Sequence, residues 1–280
     1  MSKLSLVKQG EQPLIVAPPA TAITPRQLPL ITRKAIIEYP QASGNETADS
    51  LGEVEADDHQ RYYIKGDAHG RLVRASEWLS TFIAEEVHIG APAALPIQLS
   101  DGSIVFGSRR IACVSDKMIT VNFLITPTNA YTDGSNSGLI SILSSIYALD
   151  LFLNNDDRHF GNYLSIDDGG IRRLYVFDFS RALFWNWPWH GFPAAQKHTK
   201  TGQCGVFLRQ AHGFDIVAAG NTIDRLEQID SSMISSWINR MPEDWLPVST
   251  KLSFLDWWAS DQKPRRLEAL RGGLTDGSLL

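Results

Sequence analysis

A chain of 280 residues, 43% hydrophobic and 20% charged, has the composition of a globular enzyme and is long enough for two lobes around a cleft. Its formal charge of −5 at pH 7 leaves no basic footprint for direct nucleic-acid binding and argues against electrostatic attachment to anionic lipid. The 2 cysteines form no CxxC pair, which excludes a zinc framework or disulfide scaffold, and no apolar run reaches the length of a signal core or membrane span, so a cytoplasmic location with two buried thiols is expected.

Residues 1–30 contain Pro13, Pro18, Pro19, Pro25 and Pro29, a density that forbids regular helix and leaves an extended arm or a loose tail, with Leu14, Ile15 and Val16 favouring a docked arm. The first strand is expected at Lys34–Tyr39. The acidic, polar stretch 41–60 reads as a long loop with a short strand at Leu51–Val54. Arg61–Lys65 is the next strand. Arg74–His88 follows with Trp78, Leu79, Phe82, Ile83 and Val87 at amphipathic-helix spacing, closed by Gly90 and Pro92. Asp101-Gly102 marks a hairpin between Pro96–Leu99 and Ser103–Phe106. Strands at Ile111–Val114 and Ile119–Ile125 complete a β-rich first lobe, 31–125.

The second region, 126–280, is expected to be mainly helical. Leu139–Leu153 is apolar nearly all round, as in a helix buried inside a domain. Arg172–Phe177 reads as an apolar strand. Asp230 can cap a helix whose Ile234, Trp237, Ile238 and Met241 fall on one face. A helix near Ser253–Ala259 is expected to be interrupted at Pro264, with a frayed tail beyond Gly272-Gly273. The fold class is thus α+β, strands with one main helix and then helices, a pattern that several folds share.

The segment Asn154–Phe184 carries the chemistry. Asp157 lies on a loop after the buried helix, Asn162 follows on the same loop, and Asp178 ends the Arg172–Phe177 strand. Phosphoryl transfer needs a carboxylate beside the acceptor hydroxyl and hard oxygen ligands for Mg²⁺ or Mn²⁺, and these residue types in this order supply both. Read singly, each fragment is as well explained as a polar loop or turn. Together they point to a catalytic centre.

Asp157-Arg158-His159-Phe160-Gly161-Asn162 resembles the D-R-H-x-x-N catalytic loop of HipA-like kinases and of phosphatidylinositol 3- and 4-kinases, and Asp178-Phe179-Ser180 is similar to their counterpart of D-F-G. Tyr62-Tyr63-Ile64-Lys65 resembles the strand whose lysine contacts the ATP phosphates, and Glu77 the acid that pairs with it, with Glu85 and Glu86 as rivals. The resemblance spans about 60–185 and implies a two-lobed protein kinase-like fold and an ATP- and Mg²⁺-dependent kinase. In that reading Asp157 is the base, Asn162 and Asp178 hold the metal, Lys65 contacts the phosphates and Glu77 orients it. His159 and Arg158 would brace the loop and the segment after Asp178. Ser180 in place of glycine restricts the backbone there.

No G-x-G-x-x-G or Walker loop precedes Lys65, so the 41–60 loop with Ser43-Gly44-Asn45 is the candidate phosphate cover, with a disordered insertion as the equal alternative. The resemblance makes a protein Ser/Thr the preferred acceptor. A phosphatidylinositol headgroup is the rival within the class, and a nucleotide-binding pseudokinase serving as an interaction module the rival outside it. A DNA-binding antitoxin partner is known in the HipA family, and no residue here specifies one. The aromatics Phe184, Trp185, Trp187, Trp189 and Phe192 read as packing, with a substrate platform as the alternative.

Overall fold

The computed structural model describes residues 31–40, 49–130, 138–191 and 198–280. The Pro-rich arm of 1–30, Ser43-Gly44-Asn45 and Phe192 lie outside the described residues. Five strands, β1 (Arg33–Pro40), β2 (Ser50–Ala56), β3 (Arg61–Lys65), β4 (Ala94–Gln98) and β5 (Ile104–Arg109), close into a barrel in the order β1-β2-β3-β5-β4. Closure comes from parallel pairing of β1 with β4, Arg33 opposite Ile97, all other neighbours being antiparallel. Period-two alternation turns Val54, Ala56, Tyr62, Ile64, Ile97 and Val105 into a small core of their own. Gly107 belongs to that packing, since a Cβ there would lie 2.5 Å from Ile97 Cγ1.

The barrel corrects the reading of 41–60 as mostly loop. β2 runs through Ala56 and pairs on both sides. Its acids masked the alternation: Glu53 meets Arg61 at 3.5 Å and Arg110 at 3.2 Å outside the barrel, while Val54 and Ala56 are buried. The strand expected at Ile111–Val114 is a turn from which only Val114 bridges to Ile166. Cys113 in that turn has φ +59° and is exposed, contrary to the expected burial, while Cys204 is buried.

Helix α1 (Val73–Glu86) packs on β4 and β5 and on the helices beyond, with Trp78 fully buried and its Nε1 donating to Trp237 O at 2.9 Å. The strand expected at Ile119–Ile125 is helix α2 (Lys117–Ile125). Asp116 caps it by accepting from Met118 N at 2.8 Å, and Thr120, Phe123 and Leu124 form its buried face. The cap and the i, i+3, i+4 burial override the β propensity of its Ile, Thr and Val residues.

Helix α3 (Leu139–Leu153) is the buried helix that its composition predicts. Strands β6 (Tyr163–Asp168) and β7 (Ile171–Val176) form a hairpin through Gly169-Gly170, both at positive φ, and β6 was not foreseen. Around α3 pack α4 (Lys200–His212), α5 (Ile216–Gln228), α7 (Val248–Ala259) and α8 (Gln262–Thr275), while α6 (Ser231–Asn239) packs on α1 and α7. Asp230 caps α6 through Met233 N at 2.9 Å. Pro264 interrupts nothing: it sits in the first turn of α8, where an N–H has no intrahelical acceptor. The expected frayed tail is docked, with Leu279 buried and its carbonyl accepting from the Tyr147 hydroxyl at 2.9 Å.

Candidate active site

Lys65 ends β3 on the face opposite Ile64, and period-two geometry thereby turns its side chain out of the barrel toward α1. Its Nζ lies 2.6 Å from Glu77 Oε1, 2.6 Å from Asp178 Oδ1 and 3.4 Å from Asp49 Oδ2. One ammonium therefore gathers an acid from α1, one from the end of β7 and one from the start of β2. Glu85 and Glu86 are exposed at the end of α1, and neither reaches Lys65. Burial disfavours the Lys65 charge, but Glu77, Asp178 and Asp49 outweigh it and hold the pKa above the ordinary lysine range. Burial pushes Asp178 upward too, yet Lys65 and the Ser180 hydroxyl hold its carboxyl well below the usual range. Glu77, deeper, is raised by burial despite Lys65.

Asp178 has φ +63°, a left-handed conformation that aspartate tolerates better than bulkier residues. Its contacts hold it there: Lys65, the Ser180 Oγ donating at 2.8 Å, and Phe179, which is fully buried and whose N–H donates to Glu77.

The loop between α3 and β6 is built around Arg158. Its Nε and Nη2 donate to the two oxygens of Asp150, each at 2.9 Å, a bidentate pair 2% and 1% exposed. Its Nη1 donates to Phe177 O at 2.6 Å and Asn162 O at 3.3 Å, and its guanidinium lies 4.9 Å from the Phe179 ring centroid. Arg158 thus ties the loop to the strand end that precedes Asp178. From behind, Thr201 at the start of α4 accepts from Arg158 N at 2.9 Å and donates to Asn155 O at 2.8 Å. His159 Nδ1 accepts from Gly161 N at 3.0 Å and so braces the loop, and burial lowers its pKa.

Asn162 is buried, and its Nδ2 donates to Asp157 O at 3.1 Å. Asp157 itself is 22% exposed, with Lys200 Nζ 2.7 Å from Oδ1 and Arg181 Nε 3.9 Å from Oδ2. Asp156 turns to the Asn186 side chain, and burial raises its carboxyl pKa. The site therefore has two parts: the Lys65 cluster joins Glu77 with Asp178, and Arg158 joins the Asp157–Asn162 loop to the residue before Asp178.

The donors of Asp49, Glu77 and Asp178 lie within 4.8 Å of one another and are all carboxylate oxygens, the set that suits a hard divalent cation. Lys65 already contacts each of the three, so Asp178, the most exposed, is the member best able to turn an oxygen to a metal.

Sequence reasoning missed Asp49, Asp150, Lys200 and Arg181. Only Asp150 carried a signal, as the lone charge in the apolar run Leu139–Leu153. Trp187 and Trp189 pack with Phe254 and Trp257 of α7 at centroid distances of 5.0–6.0 Å, the packing role expected of them.

The profile of the HipA-like kinase family matches residues 53–260. Among solved structures the chain is similar to the proinflammatory kinase CtkA of Helicobacter pylori, at 16% identity and TM-score 0.54, over 87% of this chain and 98% of that one. It is also similar to a chain of the Shewanella oneidensis MR-1 toxin–antitoxin complex of HipA, HipB and operator DNA, at 10% identity and TM-score 0.48, over 79% of this chain and 60% of that one. No curated protein matches. Among the described residues no helix is long and apolar enough to cross a membrane.

Proposed function

We propose that this chain, which belongs to the HipA-like kinase family, transfers the γ-phosphoryl group of ATP to the hydroxyl of a protein serine or threonine in a magnesium-dependent reaction. The barrel with α1 and α2 forms one lobe, 31–125, helices α3–α8 with the β6–β7 hairpin the other, 126–280, and ATP lies between them. The observation that carries the reading is the Lys65 ammonium, 2.6 Å from both Glu77 and Asp178, residues far apart in sequence.

Each residue then has a task. Glu77 fixes the long Lys65 side chain in one pose, and Lys65 leaves Asp178 for the phosphates when the nucleotide enters. Asp178 and Asn162 would hold the metal through oxygen atoms, and it would supply Lewis-acid neutralisation of phosphate charge. Asp157 accepts the proton of the attacking hydroxyl and orients its lone pair toward the γ-phosphorus. Arg158 keeps base and metal ligands in register through its bonds to Phe177 O and Asn162 O.

Incubation with γ-labelled ATP and Mg²⁺, followed by location of the label by mass spectrometry, tests the proposal. Label on a serine or threonine of this chain or of added protein supports it. Tight Mg-ATP binding with no transfer to any acceptor contradicts it and favours a pseudokinase.

A further inference from the structure

Asp157 faces more positive charge than one carboxylate requires. Lys200 already satisfies Oδ1 at 2.7 Å, while Arg181 stands at 3.9 Å from Oδ2, too far for a hydrogen bond. The Arg181 guanidinium lies 4.6 Å from the Trp185 ring centroid, and that of Arg71 lies 5.4 Å from the same ring. Arg71 also donates from Nη1 to Trp185 O at 2.8 Å, which fixes its position. Two guanidiniums thus lie against one indole, one of them 3.9 Å from Asp157, in a chain whose net charge is negative.

The acids in reach neutralise them only in part. Arg181 feels Asp156 and Asp157, but Asp157 is engaged more closely by Lys200 and Asp156 bonds to Asn186, and among the described residues Arg71 has no acid at ion-pair distance. Both arginines are exposed, so their remaining N–H donors face solvent. A guanidinium held on an aromatic face is a planar fork already oriented for a carboxylate or phosphate, with little rotamer freedom left to lose.

We propose that Arg71 and Arg181, both held against Trp185 beside Asp157, bind an anionic side chain next to the accepting hydroxyl, so that this kinase selects acidic protein segments. The inference rests on the reading of Asp157 as the acceptor-side base. A glutamate or a previously phosphorylated serine offers the same chemistry to the pair.

The test uses the full chain with Mg-ATP and a set of serine and threonine peptides carrying glutamate, phosphoserine, glutamine or arginine at each flanking position. The expected result is a kcat/KM about tenfold higher for an acidic flank than for glutamine, expressed in KM. Better turnover of phosphoserine peptides assigns phosphate as the natural group, and better turnover of glutamate peptides assigns carboxylate. Arg71→Gln should abolish most of that preference while leaving the glutamine peptide's turnover unchanged, and Arg71→Glu should shift preference toward arginine. Labelled peptides with no dependence on flanking charge overturn this inference alone. Absence of label from every peptide, in folded protein that binds Mg-ATP, overturns the protein-acceptor reading and this inference with it.

Discussion

Substituting Arg158 by methionine isolates what holds the catalytic loop to the strand before Asp178. Methionine fills much of the same volume, so the change is mainly the loss of charge and of donors. Asp150, 1% exposed, loses two bonds of 2.9 Å and keeps only the Asn155 Nδ2 donor at 2.7 Å. Phe177 O loses its Arg158 donor as well, while Asn162 O loses Arg158 but still accepts from Phe177 N at 3.3 Å. Removing one partner of a buried ion pair typically costs about 3–5 kcal/mol. At roughly 2–4 °C per kcal/mol for a chain of this size, the melting temperature should fall by about 6–20 °C. Pairing the change with Asp150→Leu removes the stranded charge, so the double variant should recover much of that loss. Its phosphotransfer should stay low, because the tether to Phe177 O is still absent. Calorimetry and urea titration of the four proteins of the cycle measure this. A single variant within about 1 kcal/mol of wild type, or a double variant no more stable than the single, would refute the assignment of Arg158 as the buried link.

Lys65→Met should abolish turnover and also destabilise the fold, since it strands Glu77 and Asp178; adding Glu77→Gln should restore stability but not activity, as thermal melts and labelled-ATP assays would record. Nucleotide binding should depend on Mg²⁺ or Mn²⁺, so a thermal shift by ATP in EDTA equal to that with Mg²⁺ would count against Asn162 and Asp178 as ligands. Asp178 has its pKa lowered by Lys65, so its stabilising contribution is present above the unfolded value of about 3.9 and is lost as pH falls toward the folded value. Asp178→Asn should accordingly flatten the acid limb of the stability curve, and an unchanged limb would contradict the pairing. In α4, a Cβ at Gly205 would overlap Tyr147 Cε2, so Gly205→Ala should lose about 1–3 kcal/mol to overpacking, less the ~1 kcal/mol the helix gains, and a net gain in stability would be the contrary result.

The legible parts of this molecule are those where local pattern and burial agree. The Leu139–Leu153 run announces a buried helix by composition, Trp78 and Ile83 mark the inner face of α1, and Asp230 announces the cap of α6. The illegible parts are those where a local signal was outvoted. In α2 a capping aspartate decides for helix against a β-branched sequence, and in β2 outward acids hide a strand whose other face closes the barrel. For the site, motif spacing brought Asp157, Asn162 and Asp178 to attention, and resemblance added Lys65 and Glu77. Asp49, Lys200 and Arg181 were out of reach because only the folded chain brings them to their partners, and nothing in a residue's neighbours in sequence records which ammonium it will meet.

The most direct measurement compares wild type with Asp157→Asn for Mg-ATP affinity and phosphotransfer on the same preparations. Asparagine keeps the size and most contacts of the side chain but cannot take a proton. Because Asn162, Asp178 and Lys65 are untouched, nucleotide affinity should stay near wild type while transfer drops by something on the order of 10²–10⁴-fold. A variant that binds Mg-ATP and transfers phosphate at the wild-type rate would contradict Asp157 as the base and the catalytic account built on it.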